Sequence, residues 1–189
     1  MVIKNDETEM KVLYKLILLI GLCVLATCKR LSENDEHLTI PLQPYSGTEL
    51  KTNGYYYHVS EDNIGNTAYE IYFLYRNGVL LYGGSPLLSD LPERESNYAN
   101  GTYHAQANNK TNWGRFDVNG NQIRLERWFP SSGGPAPVIM LSGTIINDTL
   151  FHITTSRESH GDNTVKPFYR YYHFKKFSPK PDSTNSYTN

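Results

Sequence analysis

Three times in this chain an alternating apolar run is cut by an Asn-Gly or Asn-Asp pair and then resumes. "AYEIYFLY" (68–75) is followed by Arg76-Asn77-Gly78 and "VLLYGG" (79–84). "WGRFDV" (113–118) is followed by Asn119-Gly120 and "NQIRLERWF" (121–129), and "PVIMLSGTII" (137–146) by Asn147-Asp148 and "TLFHITTS" (149–156). Asn and Gly tolerate positive φ, so such pairs turn one strand back onto the next. With "GYYYHV" (54–59) and "PFYRYYHF" (167–174) the count is eight strands. Short connections make neighbours antiparallel. A strongly alternating eight-stranded sheet can close on itself and abolish its edges. The expected fold class is therefore all-β: an eight-stranded antiparallel barrel, with a two-sheet sandwich of the same strands as the alternative.

One helix is expected after the third strand. Asp90 and Glu93 have the spacing of a capping box, Pro92 suits a first turn, and Gly101 can follow the end near Ala99.

The N-terminus carries a different signal. The apolar run from Leu16 to Ala26 is too short for a spanning helix and suits a signal peptide, with Lys11 and Lys15 before it. Met10 is a more natural start than Met1. The run ends in Leu25-Ala26-Thr27-Cys28, which resembles the lipobox of bacterial lipoproteins. That resemblance implies cleavage after residue 27 and acylation of Cys28, palmitate included, with the membrane as partner through the lipid. Thr27 departs from the usual Gly or Ala. Lys29 rather than Asp follows the cysteine, which by the same resemblance favours the outer membrane, with the face open. Cys23 falls in the removed segment, so no free thiol and no disulfide remain. The expected organisation is signal peptide 1–27, lipidated Cys28 and flexible tether 28–52, β domain 53–178, and a loose tail 179–189.

Taken as a set, "GYYYHV", "YFLYRNGVLLYGG", "WGRFDV", "ERWFPSSGGP", "LSGTIINDTLFHIT" and "YHFKKFSPKPDST" resemble a group of Bacteroidota lipoproteins with a lipocalin-like domain. The resemblance covers about 54–184. It implies a lipocalin-like barrel in the cell envelope, and brings no activity, ligand or catalytic residue.

The chemistry is sparse. No Gly-x-Ser-x-Gly elbow appears, and Ser131-Ser132-Gly133-Gly134 reads as a loop. The six histidines are dispersed, and His58, His152 and His173 read as solvent-facing strand residues, so neither a metal nor a cofactor is expected. A net charge of −1, with no basic face, speaks against nucleic acid. The sharpest feature lies on the last strand, where Phe168, Arg170, Tyr172 and Phe174 share one face. Turned inward, Arg170 needs an anion or several acceptors. The Arg170-x-Tyr172 spacing is similar to the carboxylate-gripping pair of fatty-acid-binding barrels. The plain structural alternative is a cation stacked on a ring, such as Trp113 or Trp128. Arg127 shares the ambiguity, being in phase with Ile123, Leu125 and Phe129. Tyr55, Tyr57, Tyr69, Tyr72 and Tyr82 are further aromatic candidates for a sugar or protein partner. The expected function is a non-catalytic binding or accessory lipoprotein for a small amphipathic ligand, contacted by Arg170, Tyr172 and Arg127. The alternatives are a structural or protein-interaction lipoprotein whose barrel is filled by Phe73, Leu81, Phe116 and Trp128, and an enzyme on the same scaffold.

Overall fold

The Asn-Gly turns behave as their chemistry requires. Gly78 and Gly120 take φ of 84° and 59°, and each closes a hairpin. The computed structural model describes residues 36–61, 64–103, 108–131, 135–158 and 164–188, so the signal peptide and Cys28 lie outside the described residues. Eight strands follow in order: β1 (Gly54–Glu61), β2 (Thr67–Leu74), β3 (Val79–Gly84), β4 (Trp113–Asn119), β5 (Gln122–Trp128), β6 (Val138–Asn147), β7 (Leu150–Glu158) and β8 (Val165–Lys176). All neighbours are antiparallel, and β1 pairs with β8 through Gly54↔Lys176 and Tyr57↔His173. The sheet is therefore a closed barrel and not a sandwich.

Helix α1 (Leu91–Ala99) lies between β3 and β4, with Pro92 in its first turn as expected. The capping box does not form. Asp90 is itself in a helical conformation, which aims its carboxylate away from the helix amides, and it accepts from Ser89 Oγ instead.

Two apolar clusters lie on the two faces of the sheet. One draws buried side chains from every strand, including Tyr56, Tyr72, Leu80, Phe116, Leu125, Leu141, Phe151 and Tyr172, and so fills the barrel interior. Its rings pack tightly: Phe151 stacks on Tyr172 at 5.0 Å and meets Tyr56 at 4.9 Å. Such pairs contribute about 0.5–1.5 kcal/mol each beyond area burial. The other cluster lies outside the barrel and joins Tyr55, Ile71, Phe73 and Leu81 to Leu91 and Tyr98 of α1. Tyr98 donates to Gly83 O at 2.6 Å and meets Phe73 edge-on at 5.0 Å. Of the four residues expected to fill the barrel, only Phe116 does. Phe73 and Leu81 belong to the outer cluster because β2 and β3 are covered and apolar on both faces, and Trp128 joins them because it is out of phase with the inward Ile123, Leu125 and Arg127 of β5.

Residues 36–52 lie against the barrel rather than forming part of a tether. Trp128 Nε1 donates to Glu36 O at 2.6 Å, and Thr39 Oγ1 and the Ile40 amide both donate to the buried Glu126 carboxylate at 2.7 Å. Ile40 and Leu50 are each 1% exposed, the latter as a plug in the interior cluster. The C-terminal stretch is equally engaged. Lys180 Nζ donates to Thr52 O at 2.6 Å and lies 4.1 Å over the Tyr75 ring, and burial pulls its ammonium down to about 8. Arg115 reaches Ile40 O at 2.9 Å and Thr188 O at 3.2 Å, holding both flanking segments. A buried Glu126 and a two-carbonyl Arg115 need partners that the strands do not supply, and the flanking segments supply them. The compact unit accordingly runs over 36–130 and 136–189.

The barrel has two unlike ends. At one, the hairpins β2–β3, β4–β5 and β6–β7 turn within a few residues, and the 43–53 stretch packs over them. At the other, the four connections β1–β2, β3–β4, β5–β6 and β7–β8 are longer, and one of them carries α1. These are called the closed and open ends below.

Candidate functional site: a charged cluster at the open end

The alternation that buries Tyr72 and Tyr172 also carries Glu70, Arg170 and Arg127 onto the interior face near the open end. Glu70 is 8% exposed. Its Oε2 accepts from Tyr172 Oη at 2.8 Å and from Arg170 Nη1, and its Oε1 accepts from Tyr72 Oη at 3.2 Å. The carboxylate is thus held by one guanidinium and two phenols, and the cation on which the Arg-x-Tyr reading rested is neutralised from inside the chain. Arg170 also lies 4.3 Å over the Phe168 ring. The ring-stacking alternative therefore has the right form with a different partner, since Trp113 and Trp128 are on the outside. Burial, reinforced by Tyr72 and Glu70, pushes the Tyr172 hydroxyl well above its ordinary value, and burial does the same for Tyr72. Both phenols stay protonated and donate.

Arg127 is placed differently. It is 7% exposed. Its Nε donates to Tyr72 Oη at 3.4 Å, and its Nη1 to Thr111 O and Trp128 O, both at 3.1 Å. The guanidinium lies 4.2 Å over Tyr82 and 5.4 Å from the Phe129 ring. Among the described residues Nη2 has no acceptor, and no carboxylate comes within ion-pair distance. Tyr72 links the two halves, donating to Glu70 while accepting from Arg127. With Glu70 cancelling Arg170, the cluster carries one uncompensated positive charge, held between aromatic rings.

His58 stands opposite Glu70 on β1. It is half-buried, its Nδ1 is 3.1 Å from Tyr171 O, and its ring is 5.7 Å from Tyr172. Burial lowers its pKa, and Arg170 lowers it further, against the opposing pull of the Tyr171 carbonyl and Glu70. It is therefore not the solvent-facing residue expected. His152 departs too, stacking on Tyr171 at 4.0 Å with Nε2 buried, whereas His173 is exposed.

The structure thus brings Arg170, Tyr172 and Arg127 into one cluster with Tyr72 and Tyr82. Tyr55 lies in the outer cluster, with Tyr57 and Tyr69 packed against it. Glu70 is the member that sequence reasoning missed, although a lone carboxylate in "AYEIYFLY" was its signal. A separate cleft of about 260 Å³ lies between the 43–49 stretch and β4, lined by Tyr45, Glu49, Phe116 and Asp117. The Tyr45 and Asp117 groups there are already paired with Glu49 and Arg124. Among the described residues no three His, Cys, Asp or Glu side chains gather as a metal site. No family model, curated protein or solved structure matches the chain.

Proposed function

We propose that this chain is a lipid-anchored, non-catalytic lipoprotein of the bacterial outer membrane. Its barrel binds a small amphipathic anion at the open end. The observation that carries the reading is Arg127: a buried guanidinium with no carboxylate partner among the described residues, set between Tyr82 and Phe129. A buried cation of this kind favours an anion, and the flanking rings offer the apolar part of a ligand a surface. Arg170 and Tyr172 have a supporting role in this reading. They hold Glu70, which orients Tyr72 toward Arg127. The ligand sits at the mouth and not deep in the barrel, because the interior is occupied by the chain's own rings.

That packed interior also favours a second reading, a structural or protein-interaction lipoprotein. Native mass spectrometry of the mature lipoprotein separates the two. The mouth-binding reading expects a reproducible acidic amphiphile bound to the wild type and lost in Arg127→Gln. A clean apo mass for both proteins favours the second reading. Incorporation of labelled palmitate, abolished in Cys28→Ser, tests the anchor.

A further inference from the structure

We infer that the open end faces the membrane, its rim seated on the lipid surface that holds the acyl chains of Cys28. The inference rests on the proposed lipidation and goes beyond it, because anchoring alone leaves orientation free.

Two observations converge. The first is where the chain joins the barrel. Glu36 is bound at the open end, through Trp128 Nε1 on its carbonyl at 2.6 Å and through the Val138 amide on its carboxylate at 2.9 Å. From there the 36–45 stretch runs along β5 and β4 toward the closed end, where the Tyr45 amide meets Arg76 O. Only residues 29–35 separate Cys28 from this attachment. Eight residue steps span at most about 28 Å. The chain therefore joins the barrel at the open end, within that distance of the lipidated residue.

The second observation is the distribution of exposed apolar side chains. Val59, Ile64, Leu88, Phe129 and Val165 are all exposed. They lie at the end of β1, in the β1–β2 connection, before α1, just after β5 and at the start of β8. These five of the nine exposed large apolar side chains among the described residues are at the open end; Leu42 lies on the 36–45 stretch, Ile146 at the closed end, and Tyr169 and Tyr171 along β8. Residues on five separate segments make a ring, and apolar surface of this kind on an envelope protein marks an interaction face.

The test uses the mature lipidated protein. Its only thiol is tied up in the lipid linkage, so an introduced cysteine is labelled uniquely. Val165→Cys and Leu88→Cys report the open end, and Ile146→Cys, 55% exposed beside the β6–β7 turn, reports the closed end. Each carries a nitrobenzoxadiazole dye. The proteins are reconstituted in phosphatidylethanolamine–phosphatidylglycerol vesicles bearing a nitroxide on the fifth acyl carbon. The expected result is quenching several-fold stronger at 165 and 88 than at 146. Equal or reversed quenching overturns the inference. So does shielding of residue 165 that grows with protein concentration without lipid quenching, which assigns the rim to a second copy. Palmitate content is read on the same preparation. Its absence removes anchor and orientation together, whereas palmitate with reversed quenching removes the orientation alone.

Discussion

At the closed end of the barrel the charges stay on the rim, where Lys51 pairs with Asp148 at 3.1 Å, and the interior polar group has neutral partners. Tyr56 Oη donates to Asp148 O at 2.9 Å and accepts from the Lys51 amide at 3.0 Å, while Leu50 plugs the interior beneath. At the open end, the same alternation of side chains places three charges on the interior face, and one of them lacks a counter-charge. The strands are the same eight. What differs is the connections, tight and covered at one end, long at the other. A closed sheet needs only one sealed end to hold its core, so the other can carry groups that stability alone does not favour.

The largest expected effect strikes both ends together. Burial raises the pKa of Tyr56 at the closed end, of Tyr72 and Tyr172 at the open end, and of Tyr98 and Tyr103 on the outer face. An acid whose folded pKa is raised stabilises the fold below its unfolded pKa and loses that contribution as pH rises past it. Above pH about 10 each such phenol costs about 1.4 kcal/mol per pH unit. Five together cost roughly 7 kcal/mol per unit, against a typical stability of about 5–15 kcal/mol. Phenolate absorbance of the buried tyrosines should therefore appear in one cooperative step within about one to two units above pH 10. Two separated steps, one for each end, would break the picture of a single closed sheet.

Leu50→Ala isolates the closed end. The side chain is 1% exposed inside the barrel cluster, and its removal should cost about 2–5 kcal/mol in urea unfolding. Anion binding by the folded protein should be unchanged. No measurable loss would return residue 50 to a tether. Glu70→Gln isolates the open end. It leaves Arg170 without its counter-charge, and the cost should be about 2 kcal/mol, moderated because that guanidinium is 35% exposed. Binding should move the other way. With two uncompensated guanidiniums, affinity for an anionic amphiphile should rise about tenfold, as read by titration calorimetry. Loss of binding along with stability would show that Glu70 is part of the seat and not a competitor for it.

The contrast between the ends explains what the sequence disclosed. Strand positions were legible because each rests on local chemistry. Asn77-Gly78 and Asn119-Gly120 turn whatever surrounds them, and the expected strand bounds fall within about two residues of those observed. Arg127, Arg170 and Tyr172 were legible as a pattern of phase. Their partners were not, since Glu70 stands 100 residues from Arg170 and is brought to it only when β1 and β8 pair. Facing was misread for Phe73 and Leu81, because a strand that is apolar on both sides does not reveal which side is the interior, and for Trp128, although its phase opposes that of Ile123, Leu125 and Arg127. The 36–52 and 179–188 stretches read as loose because they are polar. Their few anchors, Ile40, Leu50 and Lys180, gain their meaning from Glu126, the barrel interior and the Thr52 carbonyl.

The smallest expected effect belongs to the open end alone. His58 is lowered by burial and by Arg170, and also faces Glu70, His173 and the Tyr171 carbonyl. A base whose folded pKa lies below its unfolded value binds its proton more readily in the unfolded chain. Stability must then fall as pH drops through about 6.5 and on through the folded value. A slightly lower melting temperature at pH 5 than at pH 7.5 is expected, and the difference should shrink in His58→Gln. The same proton adds a positive charge beside Arg170 and Glu70, on the interior face that also carries Arg127, so an anionic amphiphile should bind roughly threefold tighter at the lower pH. The two signs are the diagnostic. Acid that weakens the fold while tightening the ligand places His58 within reach of the anion, whereas acid that weakens both leaves it a packing residue of the rim.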